Sequence, residues 1–215
     1  CDSPTAARCD DSSHTCVPCQ SNPECANIPN QLVCNSGSCV ECTPSQDSAC
    51  NGHLCHAADL VCTNEDAGTA GLCDECVANA HCCANKLCVA MSLEPPQVDG
   101  YFCLFERAAP APPDGDCDNV PPYAYDISVM TIEGGGPADV CGLRKTTCAG
   151  WQDYGNSCDP GAGGDDDCGM AGLDDGLCRQ ENGGGYSCTY ECVFAEDCPS
   201  PQLCIDLDVP SFCEL

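Results

Sequence analysis

The stretch Cys19-QSNPE-Cys25-ANIPNQLV-Cys34-NSGS-Cys39-VE-Cys42 decides the fold, because most of the chain repeats or varies it. Its unit is a cysteine, five to seven residues, a second cysteine, and two short loops that each end on a further cysteine. The four positions recur as Cys42, Cys50, Cys55 and Cys62, as Cys76, Cys82, Cys88 and Cys103, and as Cys192, Cys198, Cys204 and Cys213. Pro, Asn, Ser, Asp, Gly and Ala dominate the intervals, and these residues build turns rather than cores.

Composition agrees. The chain carries 28 cysteines in 215 residues, above the roughly 8–10% that marks a disulfide scaffold. Aromatics make up only 5%, with one Trp and four Phe, so cross-links must substitute for large buried side chains. Each bridge contributes about 2–4 kcal/mol, largely by restricting the unfolded chain. Reducing cytosol would dismantle such a fold, which places the protein outside the cell, at its surface or in a periplasm.

Six basic residues face 34 acidic ones, for a formal charge of −28. Nucleic acid and anionic membrane faces both need clustered positive charge, and the sequence has none. No apolar run approaches the roughly 18 residues of a membrane span. Membrane contact is therefore expected only through Cys1. The run Cys1-DSPTAAR-Cys9-DDSSHT-Cys16-VP-Cys19 supplies the second, third and fourth positions of the unit and lacks the first. Cys1 is either the lipidated first residue of a mature lipoprotein or an ordinary disulfide half exposed by cleavage upstream.

Residues 1–103 read as an elongated array of compact, cysteine-knot-like units, each contacting chiefly its neighbours. Residues 104–116, with their Pro-Ala-Pro-Pro core, read as a linker. Residues 117–215 read as a small β-containing domain that ends in a further repeat over 188–215. Seventeen cysteines precede the linker and eleven follow it, both odd. Either one bridge spans it, with Cys103–Cys117 the nearest candidate, or odd thiols have other fates. The convincing strand is Ala124–Glu133, where Tyr125, Ile127, Val129 and Thr131 alternate with Asp126, Ser128 and Met130. It is expected to pack with Leu143, Trp151 and Tyr154. Its edge, with Tyr125, Ile127, Val129 and Ile132, is the candidate assembly strand. Cys148, Cys158, Cys168, Cys178 and Cys188 lie ten apart, but the residues between them do not match, so irregular loops are expected there.

Three Cys-x-x-Cys pairs, Cys16/Cys19, Cys39/Cys42 and Cys73/Cys76, have the spacing of zinc half-sites. They also sit at every boundary between units, which favours disulfides to different partners. The opening Asp114-Gly-Asp116-Cys117-Asp118 matches the start of an EF-hand loop. Asn119 then stands where Gly is required and Tyr125 where the bidentate Glu belongs. Calcium held by Asp114, Asp116 and Asp118 remains the cofactor candidate; no other cofactor is expected. No nucleophile elbow, zincin helix or phosphate loop is present, so no catalytic residue is named.

Units such as Cys19-QSNPE-Cys25 and Cys192-VFAED-Cys198-PSPQL-Cys204, joined by Cys-Val-Pro-Cys and Cys-Val-Glu-Cys, resemble the cysteine-rich repeats of secreted proteins and lipoproteins of the myxobacterial type. The resemblance covers residues 1–103 and 188–215. It implies a surface or extracellular protein of disulfide-bonded modules and transfers no functional residue. The expectation is thus a small disulfide-rich fold, mostly irregular with short β-strands. Its expected role is a non-enzymatic surface scaffold, acting as a lipoprotein accessory or a self-assembling filament subunit, with a protein partner or a second copy bound. The alternative is a secreted cation-binding protein that uses calcium or thiol-bound metal. Thiol counting separates them, since a thiol-based store must keep its cysteines reduced.

Overall fold

The computed structural model describes all residues except 2, 92–97, 99, 108–116, 118–124, 135, 144, 162, 170–174, 181–183, 200, 201, 206–210 and 214–215. It is a small disulfide-rich fold of short antiparallel strands and turns, as the cysteine spacing requires. Thirteen disulfides engage every cysteine except Cys9 and Cys83. The chain divides into two compact units, residues 1–70 with 76–84, and residues 71–75 with 85–215.

The first unit is built from hairpins. Strands β1 (Arg8–Asp10) and β2 (Thr15–Val17) form one, and β3 (Val33–Asn35) and β4 (Ser38–Val40) form the next. The β3–β4 turn places Ser36 at φ 50° and Gly37 at φ 90°. Two successive left-handed residues make the tight turn whose twist matches a hairpin. Pro18 packs over this turn, 3.1 Å from where a side chain on Gly37 would begin. Short 3-10 turns at Asn22–Cys25 and Ser48–Cys50 end on the second cysteine of their repeats, and one at Asn79–His81 ends just before Cys82.

The second unit holds the larger apolar core. Strands β5 (Lys86–Met91), β6 (Gly100–Glu106), β7 (Tyr125–Met130) and β8 (Pro137–Gly142) form an antiparallel sheet in the order β5-β6-β8-β7. Val89, Met91, Phe102, Leu104 and Val140 are buried beside Cys73, Cys117, Cys141 and Cys148. Full burial of one such aliphatic or aromatic side chain contributes about 1.5–3 kcal/mol. Thr131 bridges Val89, and the Ile132 amide donates to the Cys88 carbonyl at 2.9 Å, so the end of β7 returns to β5. Leu143 and Trp151 pack against this core as expected, whereas Tyr154 lies against Tyr190 in a separate cluster, its ring tilted by 57°. Helix α1 (Cys148–Gln152) is capped by Thr147, whose hydroxyl oxygen accepts from the Gly150 amide and donates to the buried Asp175 carboxylate.

This division differs from the one drawn at residue 103. Strands β5 and β6 carry two cysteines in repeat positions, yet they belong with β7 and β8. The ten-residue cysteine spacing is likewise structural. Cys158, Cys168, Cys178 and Cys188 close a stretched copy of the repeat around the hairpin of β9 (Leu177–Gln180) and β10 (Tyr186–Thr189). The last repeat closes with β11 (Cys204–Ile205) and β12 (Phe212–Cys213).

Candidate functional site

In four complete repeats the first cysteine bonds the third and the second bonds the fourth. The pairs are Cys19–Cys34 with Cys25–Cys39, Cys42–Cys55 with Cys50–Cys62, Cys158–Cys178 with Cys168–Cys188, and Cys192–Cys204 with Cys198–Cys213. Of the three pairings that four cysteines allow, the chain uses one throughout these repeats. The cause lies in the hairpin. The third and fourth cysteines face each other across it as register partners: Cys34 with Cys39, Cys55 with Cys62, Cys178 with Cys188, Cys204 with Cys213. Each then reaches back to a preceding segment instead of across to its neighbour.

A backbone bond fixes that segment. The amide of the first cysteine donates to the carbonyl two residues before the fourth: Cys19 to Gly37, Cys42 to Leu60, Cys158 to Tyr186 and Cys192 to Ser211, at 3.1, 3.4, 3.1 and 3.0 Å. The result is a three-segment knot in which three cysteines are buried and the remaining one, Cys34, Cys62, Cys158 or Cys204, is half-buried. Its loops carry large apolar side chains into solvent at Leu32, Val61, Val193, Phe194 and Leu203, and Tyr186 of β10 is exposed as well. Leu32 also lines an open groove of about 470 Å³ with Asn22, Gln46 and Asp47. The Asn22 side-chain Nδ2 donates to the Gln46 Oε1 across that groove at 2.7 Å.

The Cys-x-x-Cys pairs join successive knots. Cys16 bonds Cys1 and Cys19 bonds Cys34; Cys39 bonds Cys25 and Cys42 bonds Cys55; Cys73 bonds Cys148. Sulfur triplets within 4.8 Å occur at Cys19/Cys25/Cys39, Cys42/Cys50/Cys62 and Cys158/Cys168/Cys188. All nine of these sulfurs are disulfide-bonded, and a metal needs the thiolate form.

Two sequence expectations change. Cys117 bonds Cys141, not Cys103, so Cys103–Cys117 is replaced. Cys103 faces Cys88 in the β5–β6 register, and both are disulfide-bonded. The bridge that joins residues before and after the expected linker is Cys73–Cys148, because Gly71–Glu75 packs beside β6 and Cys73 enters the core next to α1. The Cys1 sulfur is bonded to Cys16, and one sulfur cannot hold both this bond and a lipid thioether.

Asp114, Asp116 and Asp118 lie outside the described residues. In β7, Ile127 and Val129 pack against the core and Ile132 is buried. Tyr125 to Met130 pair with β8 along their length. Ile127, Val129 and Ile132 of the candidate assembly strand thus turn inward, whereas Met130 is exposed. Asp165 accepts from the Cys178 amide at 2.6 Å and the Arg179 guanidinium at 2.9 Å, so it braces the stretched knot.

Sequence reasoning passed over the two free thiols. Cys83 is half-buried, with its sulfur 3.3 Å from the Gly68 carbonyl. Cys9 is exposed on β1. Beside it the Asp10 carboxylate accepts from the Ser12 hydroxyl and from the Ser13 and Ser12 amides, which lowers its pKa to about 2. Among the described residues no helix is long and apolar enough to cross a membrane. Comparison of the chain with protein-family models, curated proteins and solved structures found no match.

Proposed function

We propose that the chain is a non-enzymatic, exported scaffold that makes protein–protein contacts at or beyond the cell surface. The observation that supports this reading is the repetition of one disulfide-locked knot, whose buried cluster is mostly cysteine while its loops vary and carry exposed apolar side chains. A frame that holds its shape regardless of loop sequence is suited to recognition. The extracellular or surface setting follows the disulfide density and accords with the resemblance to myxobacterial-type repeats. Within this role the form proposed is a self-assembling subunit, since the Cys1–Cys16 bridge occupies the sulfur that lipidation of Cys1 would need.

Sedimentation and light scattering of native material test the self-assembling form, in salt with calcium and then in chelator without salt. Charge of −28 opposes association unless salt or cations screen it. Concentration-dependent assembly that Phe194→Ser and Leu203→Ser weaken supports contact through the loops. A sharp monomer in every condition removes the filament form. The second reading, cation binding, rests on that same acidity. Calcium titration followed by calorimetry tests it: saturable heat lost in Asp114→Asn with Asp116→Asn supports calcium, and featureless dilution heats sink it.

A further inference from the structure

We propose that Cys9 is a docking thiol, which a cysteine on an extended segment from outside residues 1–215 bonds to complete the first knot. The inference rests on the pairing rule and not on the surface role proposed above.

The first hairpin has the geometry of the others. Cys9 and Cys16 face each other in the β1–β2 register, as the third and fourth cysteines do in the complete knots. Cys16 reaches back to Cys1, so Cys1 and Cys16 are the second and fourth positions. Their Cα separation, 5.2 Å, falls among the second-to-fourth bridges, at 5.1–5.6 Å, and below the first-to-third bridges, at 5.8–5.9 Å. Cys9 is therefore a third-position sulfur, and its counterparts Cys34, Cys55, Cys178 and Cys204 all hold a first-position cysteine.

A second observation points to the same ligand. In the complete knots the carbonyl two residues before the fourth cysteine accepts from the first cysteine's amide. Here that carbonyl belongs to His14, exposed on the turn with φ 53°. No backbone amide of the described residues donates to it. One hairpin thus presents both groups that a first-position segment engages elsewhere, a sulfur and a backbone acceptor, and both face solvent.

The chemistry needs no separate oxidant if the incoming cysteine arrives in a disulfide. The Cys9 thiolate attacks that cysteine's sulfur, the new S–S bond forms as the old one breaks, and the departing thiolate takes up the proton that Cys9 released. The Cys1, Cys9 and Cys16 sulfurs lie within 4.8 Å of one another, so internal exchange to Cys9–Cys16 competes and is a distinct outcome.

Two experiments decide. Native material is digested without reduction and mapped by mass spectrometry. A Cys9 peptide joined to a cysteine outside residues 1–215 is expected. Contiguity of that cysteine with Cys1 in one polypeptide identifies an upstream source, and an unrelated sequence identifies a separate chain. Cys9 free, capped by a small thiol, or bonded to any cysteine within 1–215 overturns the proposal. The second experiment uses the 215-residue chain with Cys83→Ser and an acetylated peptide copying residues 17–24, its cysteine carried as a thionitrobenzoate mixed disulfide. Reaction at Cys9 is expected to be about tenfold faster than for the same peptide N-methylated at that cysteine, because the amide orients the sulfur on the His14 carbonyl. Cys9→Ser abolishes the reaction, and equal rates for the two peptides overturn the docking geometry.

Discussion

Asp10 shows how a single side chain sets the pH response of a hairpin. Three donors from Ser12 and Ser13 stabilise its ionised form and bring its pKa from 3.8 to about 2. Because the folded value is the lower one, the associated stability is complete above the unfolded pKa and is lost as pH falls through about 2. A carboxyl-resolved NMR titration should find Asp10 still ionised at pH 3, and Ser12→Ala should move its midpoint upward. An Asp10 midpoint at the ordinary value would refute the turn geometry. At the same scale, in the isolated 215-residue chain, which lacks the outside cysteine proposed for Cys9, Cys9 and Cys83 should react differently with a maleimide under native conditions. Exposed Cys9 modifies first, and half-buried Cys83 follows only as its surroundings open. Two labels per unreduced chain are expected after unfolding, and six or more would revive metal ligation through thiols.

Elements carry their own tests. Gly37 occupies the left-handed region with φ 90°, and its missing side chain lets Pro18 close over the turn at 3.1 Å. Gly37→Val should therefore destabilise the β3–β4 hairpin by about 1–3 kcal/mol. Hydrogen exchange of the Cys39 and Val40 amides is the readout, and unchanged protection would refute the turn assignment. Helix α1 depends on Thr147 in two ways, as its cap and as the partner of buried Asp175. Thr147→Val should cost about 2–3 kcal/mol in urea unfolding of the second unit, combining a lost cap with a weakened buried carboxylate.

These elements also show where a linear reading stops. The cysteine spacing around residues 19–42 exposed the repeat, because turn residues at fixed offsets are a local signal. Connectivity was not legible, since four equivalent sulfurs in one knot differ only in which faces which across a hairpin. The β5–β6 pair escaped notice because Cys88 and Cys103 read as repeat positions, while the apolar Val89, Met91, Phe102 and Leu104 mark a core strand pair. The stretched knot at Cys158–Cys188 was hidden by unmatched intervals, and only pairing reveals its kinship. Cys9 carried a readable signal, a third position without a first, that becomes meaningful once the bonding rule is known.

At the scale of the whole molecule, one bridge differs in kind. The knot disulfides close short intervals, with separations of 12–20 residues, whereas Cys73–Cys148 spans 75. In the chain-entropy model it contributes about 4.5 kcal/mol, against about 3 for a knot bridge. The paired Cys73→Ser and Cys148→Ser variant should lower the urea midpoint of the second unit more than the paired Cys42→Ser and Cys55→Ser variant lowers that of the first. The reverse order would show that Cys73–Cys148 is not what ties residues 71–75 to the sheet.

That long bridge also sets a timetable. The knots at Cys19–Cys39 and Cys42–Cys62 hold all their own partners, so each can oxidise as soon as its last cysteine emerges. Cys73 must wait for residue 148. At roughly 5–20 residues per second of synthesis, the delay is about 4–15 s if export keeps pace. Throughout that interval Cys76 lies three positions away, and further cysteines arrive before the right one. A nascent chain halted short of Cys148 should therefore carry a reactive Cys73 behind two finished knots. The assembly line has one station where a chaperone or an isomerase would matter most, and it lies at Cys73.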